Sequence, residues 1–320
     1  MELQPVYKNA STVMVEEELP FIDANTIPMS LEEIDHHHII PVFTKDNQAL
    51  ISQHEFIQLT DRLLLSTYKD KVMGPYIRVS HPIKGRIPSA RHKKAHELLP
   101  EEETLYYERM MFVFIIPSIS KTIDGQELKL VIGGVKAYNK DNLNKNGNAL
   151  QQFSFFIGFK VKVCSNLCIW TDGVKSNICV NSIEALEHAI VEVFSSYNPE
   201  AHLNNLESLK QQYLSTEQFA HLLGKCKLYH HLPKQDKVSI IPCGLNDTQL
   251  NYLSKAFYQD HNFRSKHGSI DLWSFYNICT GALKSSYIDT FLESNKQLND
   301  FLRSLSRDLR SGTRSWYLID

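Results

Sequence analysis

The stretch from residue 131 to residue 173 constrains the fold more than any other part of the chain. After a Gly133-Gly134 pair it contains two runs rich in apolar, β-branched and aromatic residues, at 153–159 and 161–170. Such runs, bounded by asparagine- and glycine-rich turns, are typical of buried strands. We therefore expect a central sheet here, in which the two runs can join into one long strand bent near Gly158.

A second strong strand signal lies just before this stretch. Residues 103–117 end in a nearly continuous aromatic and β-branched run, and we expect it to pair with residues 128–132 through a turn at Asp124-Gly125. One helix interrupts the β-rich half. It begins at a capping box of Ser52 and Glu55 and keeps a helical period to about residue 68.

Helix signals dominate after residue 180. A capping box at 181–184, Pro199 and a further start signal at Ser215 indicate successive amphipathic helices. The predicted helical ranges are 181–195, 200–214, 215–231, 246–260, 270–280 and 287–309. The sequence thus predicts an α+β fold with a mainly antiparallel sheet in the N-terminal half and a helical C-terminal half. We divide it into a flexible or strap-like arm (1–36), a β-rich half with one helix (37–180) and a helical half packed on the sheet as one unit (181–320).

Composition narrows the class of protein. Of the 320 residues, 42% are hydrophobic, which is enough for a sizeable core without disulfides or metals. The formal net charge of -2 argues against a general polyanion binder. The six scattered cysteines and the absence of a secretory signal or a long apolar run lead us to expect a cytoplasmic protein with reduced thiols and no membrane association.

Residues 78–94, called here the basic stretch, carry the densest positive charge. Two prolines and a glycine disfavour a helix, so an extended, loop-rich conformation is expected. Contact with an anion or a nucleic-acid backbone is one interpretation, and a solvated loop paired with the following glutamates is the other. The candidate binding residues are Arg78, His81, Lys84, Arg86, Arg91, Lys93 and Lys94.

Two further sets are secondary candidates. Arg303, Arg307, Arg310 and Arg314 follow the helical period and would form one stripe, of which Arg307 and Arg314 are the candidates. Gly312 can end the helix before Arg314, and Asp300 and Asp308 neutralise part of the stripe. Lys136, Tyr138 and Asn139 follow the glycine pair, and the turn at 139–148 is a potential neighbour of the basic stretch. The glycine pair lacks the following helix that a phosphate loop requires, so we favour a bulge or a close strand contact there.

The spacing of residues in the sequence gives little support for a metal site or for catalytic residues. Cys164 and Cys168 on one strand would lie about 13 Å apart, too far for one ion or a disulfide. Consecutive His36, His37 and His38 cannot all face one ion from a strand. We therefore predict no metal, no cofactor and no catalytic residue.

Several phrases together resemble an uncharacterised family of Bacteroidota, the domain of unknown function numbered thirty-eight seventy-one. The phrases are residues 40–47, 78–88, 106–110, 133–139 and 163–173. The resemblance extends over nearly the whole chain beyond its first thirty residues or so. It implies an association with mobile elements, which often carry such genes, and brings no established activity. A strand containing Val163-Cys164-Ser165-Asn166 and followed by a helical half is also similar to phage- and plasmid-like families of unknown function.

Three functional hypotheses follow. The first is a non-catalytic accessory protein of a mobile element that binds nucleic acid through the basic stretch. The second is a protein-interaction or regulatory module, such as an inhibitor of a host system. The third is an enzyme in which Arg78, His81, Lys84 and Arg86 form an anion-binding and acid–base cluster with Glu108 or Asp141.

Overall fold

A six-stranded antiparallel sheet, in the order β1-β3-β6-β7-β8-β9, organises the molecule. The computed structural model describes residues 20–36, 40–41, 50–68, 71–141, 150–259, 268–312 and 315–318. A three-stranded sheet, β2-β4-β5, and a small β10-β11 pair accompany the main sheet. The strands in these residues are β1 (Ile27–Met29), β2 (Ile40–Pro41), β3 (Met73–Val79), β4 (Pro82–Arg86), β5 (Glu103–Tyr107), β6 (Arg109–Ile123), β7 (Gln126–Ala137), β8 (Gln151–Val161), β9 (Leu167–Val180), β10 (Tyr213–Leu214) and β11 (Ile270–Asp271).

The predicted hairpin at Asp124-Gly125 is present and joins β6 to β7. Ile123 pairs with Gln126, and both turn residues have positive φ, 52° for Asp124 and 73° for Gly125. Two consecutive positive φ values are those of a type I′ turn, which suits the twist of a two-residue hairpin. The Asp-Gly signal therefore set this register correctly.

The expected long strand bent near Gly158 is instead a hairpin. Strand β8 ends at Val161, the chain turns at residues 162–164, and β9 begins at Leu167 antiparallel to β8. Ser165 adopts a φ of 55° in this connection. Cys164 consequently lies in the connection and Cys168 on β9, so the estimate that placed both on one strand was wrong.

The Gly133-Gly134 pair lies within β7, where it allows close packing on both faces. A Cβ atom at Gly133 would overlap the carbonyl oxygen of Phe112, and one at Gly134 would overlap the ring of Phe56. The β7 pairings with β6 and β8 continue without a register shift at these glycines. The close-contact interpretation is confirmed, and no bulge is needed.

Helices begin close to the sequence signals. Ser52 and Ser215 form capping boxes with Glu55 and Gln218, whereas at the third site Ser182, not Asn181, is the N-cap. The helices in the described residues are α1 (Leu31–His36), α2 (Gln53–Thr67), α3 (Tyr138–Asp141), α4 (Ile183–Ser196), α5 (Pro199–Ser208), α6 (Thr216–His231), α7 (Lys234–Lys237), α8 (Asp247–Gln259), α9 (Leu272–Leu283) and α10 (Ile288–Ser311).

Helices pack on the sheet through contacts between aromatic side chains. The ring of Phe56 on α2 lies 5.0 Å from those of Phe112 and Phe153, and Phe194 on α4 packs against Phe155 at 5.6 Å. Helix α10 contacts β6, β7 and β9. One continuous cluster of buried side chains extends from the N-terminal strap to the C-terminal helices. The α+β class predicted from sequence is confirmed.

Both ends of the described chain are tied to this core. Phe21 and Ile22 are buried and β1 pairs with β3, so residues 20–36 act as a strap rather than a flexible arm. Near the C-terminus the Tyr317 ring packs on Phe301 at 4.8 Å and its hydroxyl donates to the Ile241 carbonyl at 2.7 Å. The C-terminal segment therefore docks into the core instead of adding a strand to the main sheet.

Candidate anion-binding cleft

The basic stretch is partly strand and partly loop, in line with the extended, loop-rich conformation expected from its two prolines and glycine. Its first residues belong to β3 and β4, joined by a two-residue turn, and a single 3-10 turn at Pro88–Ala90 follows. Pro82 is tolerated because it occupies the first position of β4, where the missing N–H costs least. Arg78, Lys84 and Arg86 are thus fixed to strands, whereas Arg91, Lys93 and Lys94 follow in turns and irregular backbone.

Arg78 fastens the N-terminal strap to the sheet. Its Nε and Nη2 donate to the hydroxyl and the carbonyl oxygen of Thr26 at 3.0 and 2.9 Å. Partial burial lowers the pKa of Arg78, and the nearby Asp23 opposes that effect. Two of the five N–H donors of this guanidinium are thus used within the chain.

The next cations are paired or buried. Lys84 forms a salt bridge with Glu103, and Lys93 forms one with Glu102. Arg86 is only 3% exposed and donates through Nη1 to the carbonyl oxygen of Lys93. The interpretation of a stretch paired with the following glutamates accounts for Lys84 and Lys93, whereas Arg86 is buried against the backbone of Lys93.

Lys94 is the more open of the two remaining arginine and lysine residues of the stretch, Arg91 and Lys94. Lys94 is exposed, and its ammonium forms no salt bridge with any described carboxylate, while its backbone N–H donates to Glu97 at 2.8 Å. Arg91 is half-buried at the end of the 3-10 turn. Lys94, at one edge of the stretch, therefore retains the best access to an external anion.

The acid–base cluster that an enzyme would need is not assembled around His81. Its Nε2 lies 3.8 Å from Glu108 Oε2, beyond hydrogen-bonding distance, and its side chain is 65% exposed. Glu108 is held instead by Arg109, at 3.0 Å. Asp141, the other proposed carboxylate, is engaged by Lys136 at 2.7 Å.

Lys136 and Tyr138, two secondary candidates, are buried. The Lys136 ammonium binds Asp141 and the Gln152 carbonyl oxygen, and lies 4.6 and 4.2 Å from the ring centroids of Tyr138 and Phe153. Burial lowers the pKa of Lys136 to about 8, although the ion pair with Asp141 opposes this shift. These residues stabilise the end of β7 and do not face solvent.

Asn139 connects that end of β7 to α10. Its Nδ2 donates to Asp289 Oδ2 at 3.0 Å, and Asp289 Oδ1 also lies 3.1 Å from Arg109 Nε. Residues 142–149, most of the turn that was expected beside the basic stretch, lie outside the described residues, as do His37, His38 and Arg314.

The arginine stripe of α10 lines a cleft. Arg303, Arg307 and Arg310 project from one side of the helix into a cavity of about 400 Å³, called here the arginine cleft. All three are exposed, and the side chain of Arg307 is 73% exposed. The full lining is Trp170, Asn205, Leu206, Ser208, Leu209, Tyr276, Asn299, Leu302, Arg303, Ser306, Arg307, Arg310 and Ser311.

The charge of the arginine cleft is only partly neutralised. Arg307 Nε lies 3.7 Å from Asp308, whereas Arg303 and Arg310 form no salt bridge with any carboxylate in the part of the chain that the structure describes. Arg310 donates to the neutral hydroxyl of Ser208 at 3.2 Å, and Arg303 lies 5.4 Å from the Trp170 ring centroid. Neutral partners hold these guanidinium groups in position without cancelling their charge.

Two contacts position the walls of the cleft. The Thr171 hydroxyl donates to Asp300 at 2.7 Å, and the Thr171 backbone N–H donates to Asn299 at 3.3 Å, which ties β9 to α10. Behind Trp170, the His202 ring stacks at 4.9 Å, and burial lowers the pKa of His202 to about 3. The imidazole is thus neutral, and it supports the indole without adding charge.

The described residues also lack the geometry of a metal site, a disulfide and a membrane-spanning helix. No group of three or more His, Cys, Asp or Glu side chains there is arranged to hold a metal ion. The six cysteines are free thiols. Within the same ranges, no helix combines the length and apolar character needed to cross a membrane.

Sequence reasoning identified the arginines of the cleft but missed its other walls. Trp170, Asn205, Ser208 and Asn299 come from β9, α5 and α10. No spacing in the sequence relates these elements, because their proximity results from helices packing beside β9. The one local signal was the helical period of the arginines.

Comparison with known proteins gives one match. A family described as "Domain of unknown function, B. Theta Gene description (DUF3871)" matches residues 6–318. No curated protein and no solved structure matches the chain.

Proposed function

Since the chain belongs to the DUF3871 family, whose description names no activity, we propose from the geometry of its residues that it is a non-catalytic protein that binds nucleic acid through the arginine cleft. The observation that carries this proposal is the set of three exposed arginines on α10 around one cavity, two of them without a carboxylate partner among the described residues. Guanidinium groups bind phosphate oxygens through paired, charge-assisted hydrogen bonds.

The basic stretch is a secondary contact in this proposal. Its lysines at 84 and 93 are already paired with Glu103 and Glu102, and a phosphate would have to displace those carboxylates. Lys94 remains as a phosphate contact at its edge. Contacts of this kind position a nucleic acid without reading its sequence.

An accessory role in a mobile element is part of the proposal and rests on the family resemblance. It predicts that genes of the family lie beside transfer or integration genes more often than chance allows. A survey of gene neighbourhoods that finds no such excess would remove this part and leave the binding proposal intact.

Binding is tested by fluorescence anisotropy of labelled single- and double-stranded DNA and RNA at several salt concentrations. Three phosphate contacts on a single strand give a slope of log K against log salt of about -2, from about -0.7 per contact. The double variant Arg303→Gln/Arg310→Gln should reduce the steepness of that slope by about 1.4. No binding of any nucleic acid at low salt would refute the proposal.

The matched control is Lys84→Gln/Lys93→Gln, which removes the same charge from the basic stretch. We expect this variant to bind nearly as the unmodified chain does, because both lysines are already ion-paired. If instead the control loses affinity and the arginine variant does not, the basic stretch is the main interface. Thermal melts of both variants check that the fold is retained.

A further inference from the structure

The arginine cleft has an open cationic mouth and a closed interior. Arg303, Arg307 and Arg310 are exposed at the mouth, while Leu206, Leu302 and Tyr276 at the inner end are 2%, 2% and 1% exposed. Helices α5, α9 and α10 and strand β9 all contribute to the lining. A ligand that enters between the arginines therefore meets buried side chains at the inner end.

This shape discriminates between the end and the middle of a strand. An internal phosphodiester continues in two directions, so both flanks of a strand bound by its middle must leave the cleft. A strand end needs to enter only once. The volume of about 400 Å³ is at the lower end of the range of small-molecule sites, which suits one terminal unit better than a folded-back strand.

The charges of the phosphate group and of the arginines also favour binding of a strand end. A terminal phosphomonoester carries a charge of about -1.5 to -2 at neutral pH, as phosphorylated side chains do, whereas each internal diester carries one negative charge. Arg303 and Arg310 are not neutralised by described carboxylates, and the partner of Arg307, Asp308, is 3.7 Å away. The more highly charged group gains more from several guanidinium donors.

Neutral polar groups line both the mouth and the deeper part of the cleft. Asn205, Ser208 and Ser311 line the mouth, and Asn299 and Ser306 lie deeper. Hydroxyl and amide groups of this kind can donate to and accept from the sugar and base that follow a terminal phosphate. Leu206, Leu209 and Leu302 offer an apolar surface beside them.

We infer that the arginine cleft binds the phosphorylated end of a nucleotide chain, a terminal phosphomonoester with its attached nucleoside. This inference rests on the proposed nucleic-acid binding for its physiological ligand. The same chemistry is also presented by a free nucleoside monophosphate, and the experiment separates the two sources.

The test uses the full chain and single-stranded oligodeoxynucleotides of one sequence with an internal dye. They carry a 5′-phosphate, a 3′-phosphate or hydroxyl groups at both ends. A phosphorylated end should bind at least about tenfold more tightly than hydroxyl ends, the value expected for one added charge-assisted hydrogen bond. This preference should shrink as the pH falls below about 6, where the phosphomonoester loses its second charge.

Arg303→Gln/Arg310→Gln should abolish the preference, whereas Lys84→Gln/Lys93→Gln should keep it. Equal affinity of all three strands would overturn the inference while leaving nucleic-acid binding in place. If no strand binds at low salt, the proposed function fails, and a calorimetric titration with adenosine monophosphate then decides. Its binding, lost in the arginine variant, supports the inference with a free nucleotide as ligand, and no binding overturns it.

Discussion

The imidazole of His202 stacks on the indole of Trp170 with the ring centroids 4.9 Å apart and the ring planes 9° from parallel. The Tyr197 hydroxyl lies 2.6 Å from Nδ1 of the same imidazole, which fixes the orientation of the ring. Because Trp170 also lines the arginine cleft, this buried stack supports one wall of the cleft from behind.

His202 should make the protein sensitive to acid. Burial lowers its pKa to about 3 in the folded chain, against 6.5 without burial. Between these values only the unfolded chain binds the proton, so the free energy of unfolding falls as the pH drops below 6.5, by about 1.4 kcal/mol per pH unit. Urea denaturation of the unmodified chain and of His202→Gln at two acidic pH values measures this slope.

The glutamine variant should lose that part of the slope, while its amide can still accept from Tyr197. His81→Gln is the control, because the His81 side chain is 65% exposed. Identical acid slopes for the unmodified chain and His202→Gln would contradict the prediction.

The Lys136–Asp141 pair should make the stability of the protein depend on pH in the alkaline range, whereas His202 does so in the acidic range. Burial lowers the pKa of Lys136 to about 8 in the folded chain, against 10.5 without burial. Between these values the unfolded chain binds more protons, so the free energy of unfolding rises with pH through this window. Chemical denaturation across it should show this rise for the unmodified chain and not for Lys136→Met/Asp141→Asn.

The double variant removes both charges of the buried pair, because a single change would leave one buried charge without its partner. Lys94→Met, at an exposed lysine, is the control and should keep the rise. A rise of equal size in the double variant would show that other groups cause it.

Gly134 should not tolerate a methyl group. Its Cβ would overlap the ring of Phe56, and overpacking of this kind costs about 1–3 kcal/mol of unfolding free energy. Gly224→Ala is the matched comparison, since that position in α6 has open space around it and should gain about 0.5–1 kcal/mol. Denaturant unfolding of the two variants gives the pair of values, and a stabilised Gly134→Ala would refute the close contact.

Tyr317 should anchor the C-terminal segment in two separable ways. Tyr317→Phe loses only the hydrogen bond to the Ile241 carbonyl oxygen and should cost about 1 kcal/mol. Tyr317→Ala also loses the packing on Phe301 and should cost about 3–5 kcal/mol. Thermal and urea unfolding separate the two, and equal losses for both variants would mean that the ring contributes nothing.

Local features of the sequence were sufficient for much of the fold. The serines at 52 and 215 start helices because a capping side chain satisfies backbone groups within three residues. The Asp124-Gly125 turn sets the β6–β7 register because positive φ values are needed at both positions. The helical period of residues 303, 307 and 310 likewise predicted that these arginines share one side of α10.

The ion pairs and the lining of the arginine cleft depended on contacts between residues distant in sequence. Tertiary structure paired Lys84 with Glu103 and Lys93 with Glu102, and it placed Trp170 and α5 beside the arginines of α10. The sequence by itself determined the α+β class, the hairpin at 124–125 and the arginine stripe, since each rests on periodicity or on a few neighbouring residues. Only the packing of helices on the sheet decided which cations lack a salt bridge and which residues surround them. An ion pair or a cleft depends on distances that no local spacing encodes.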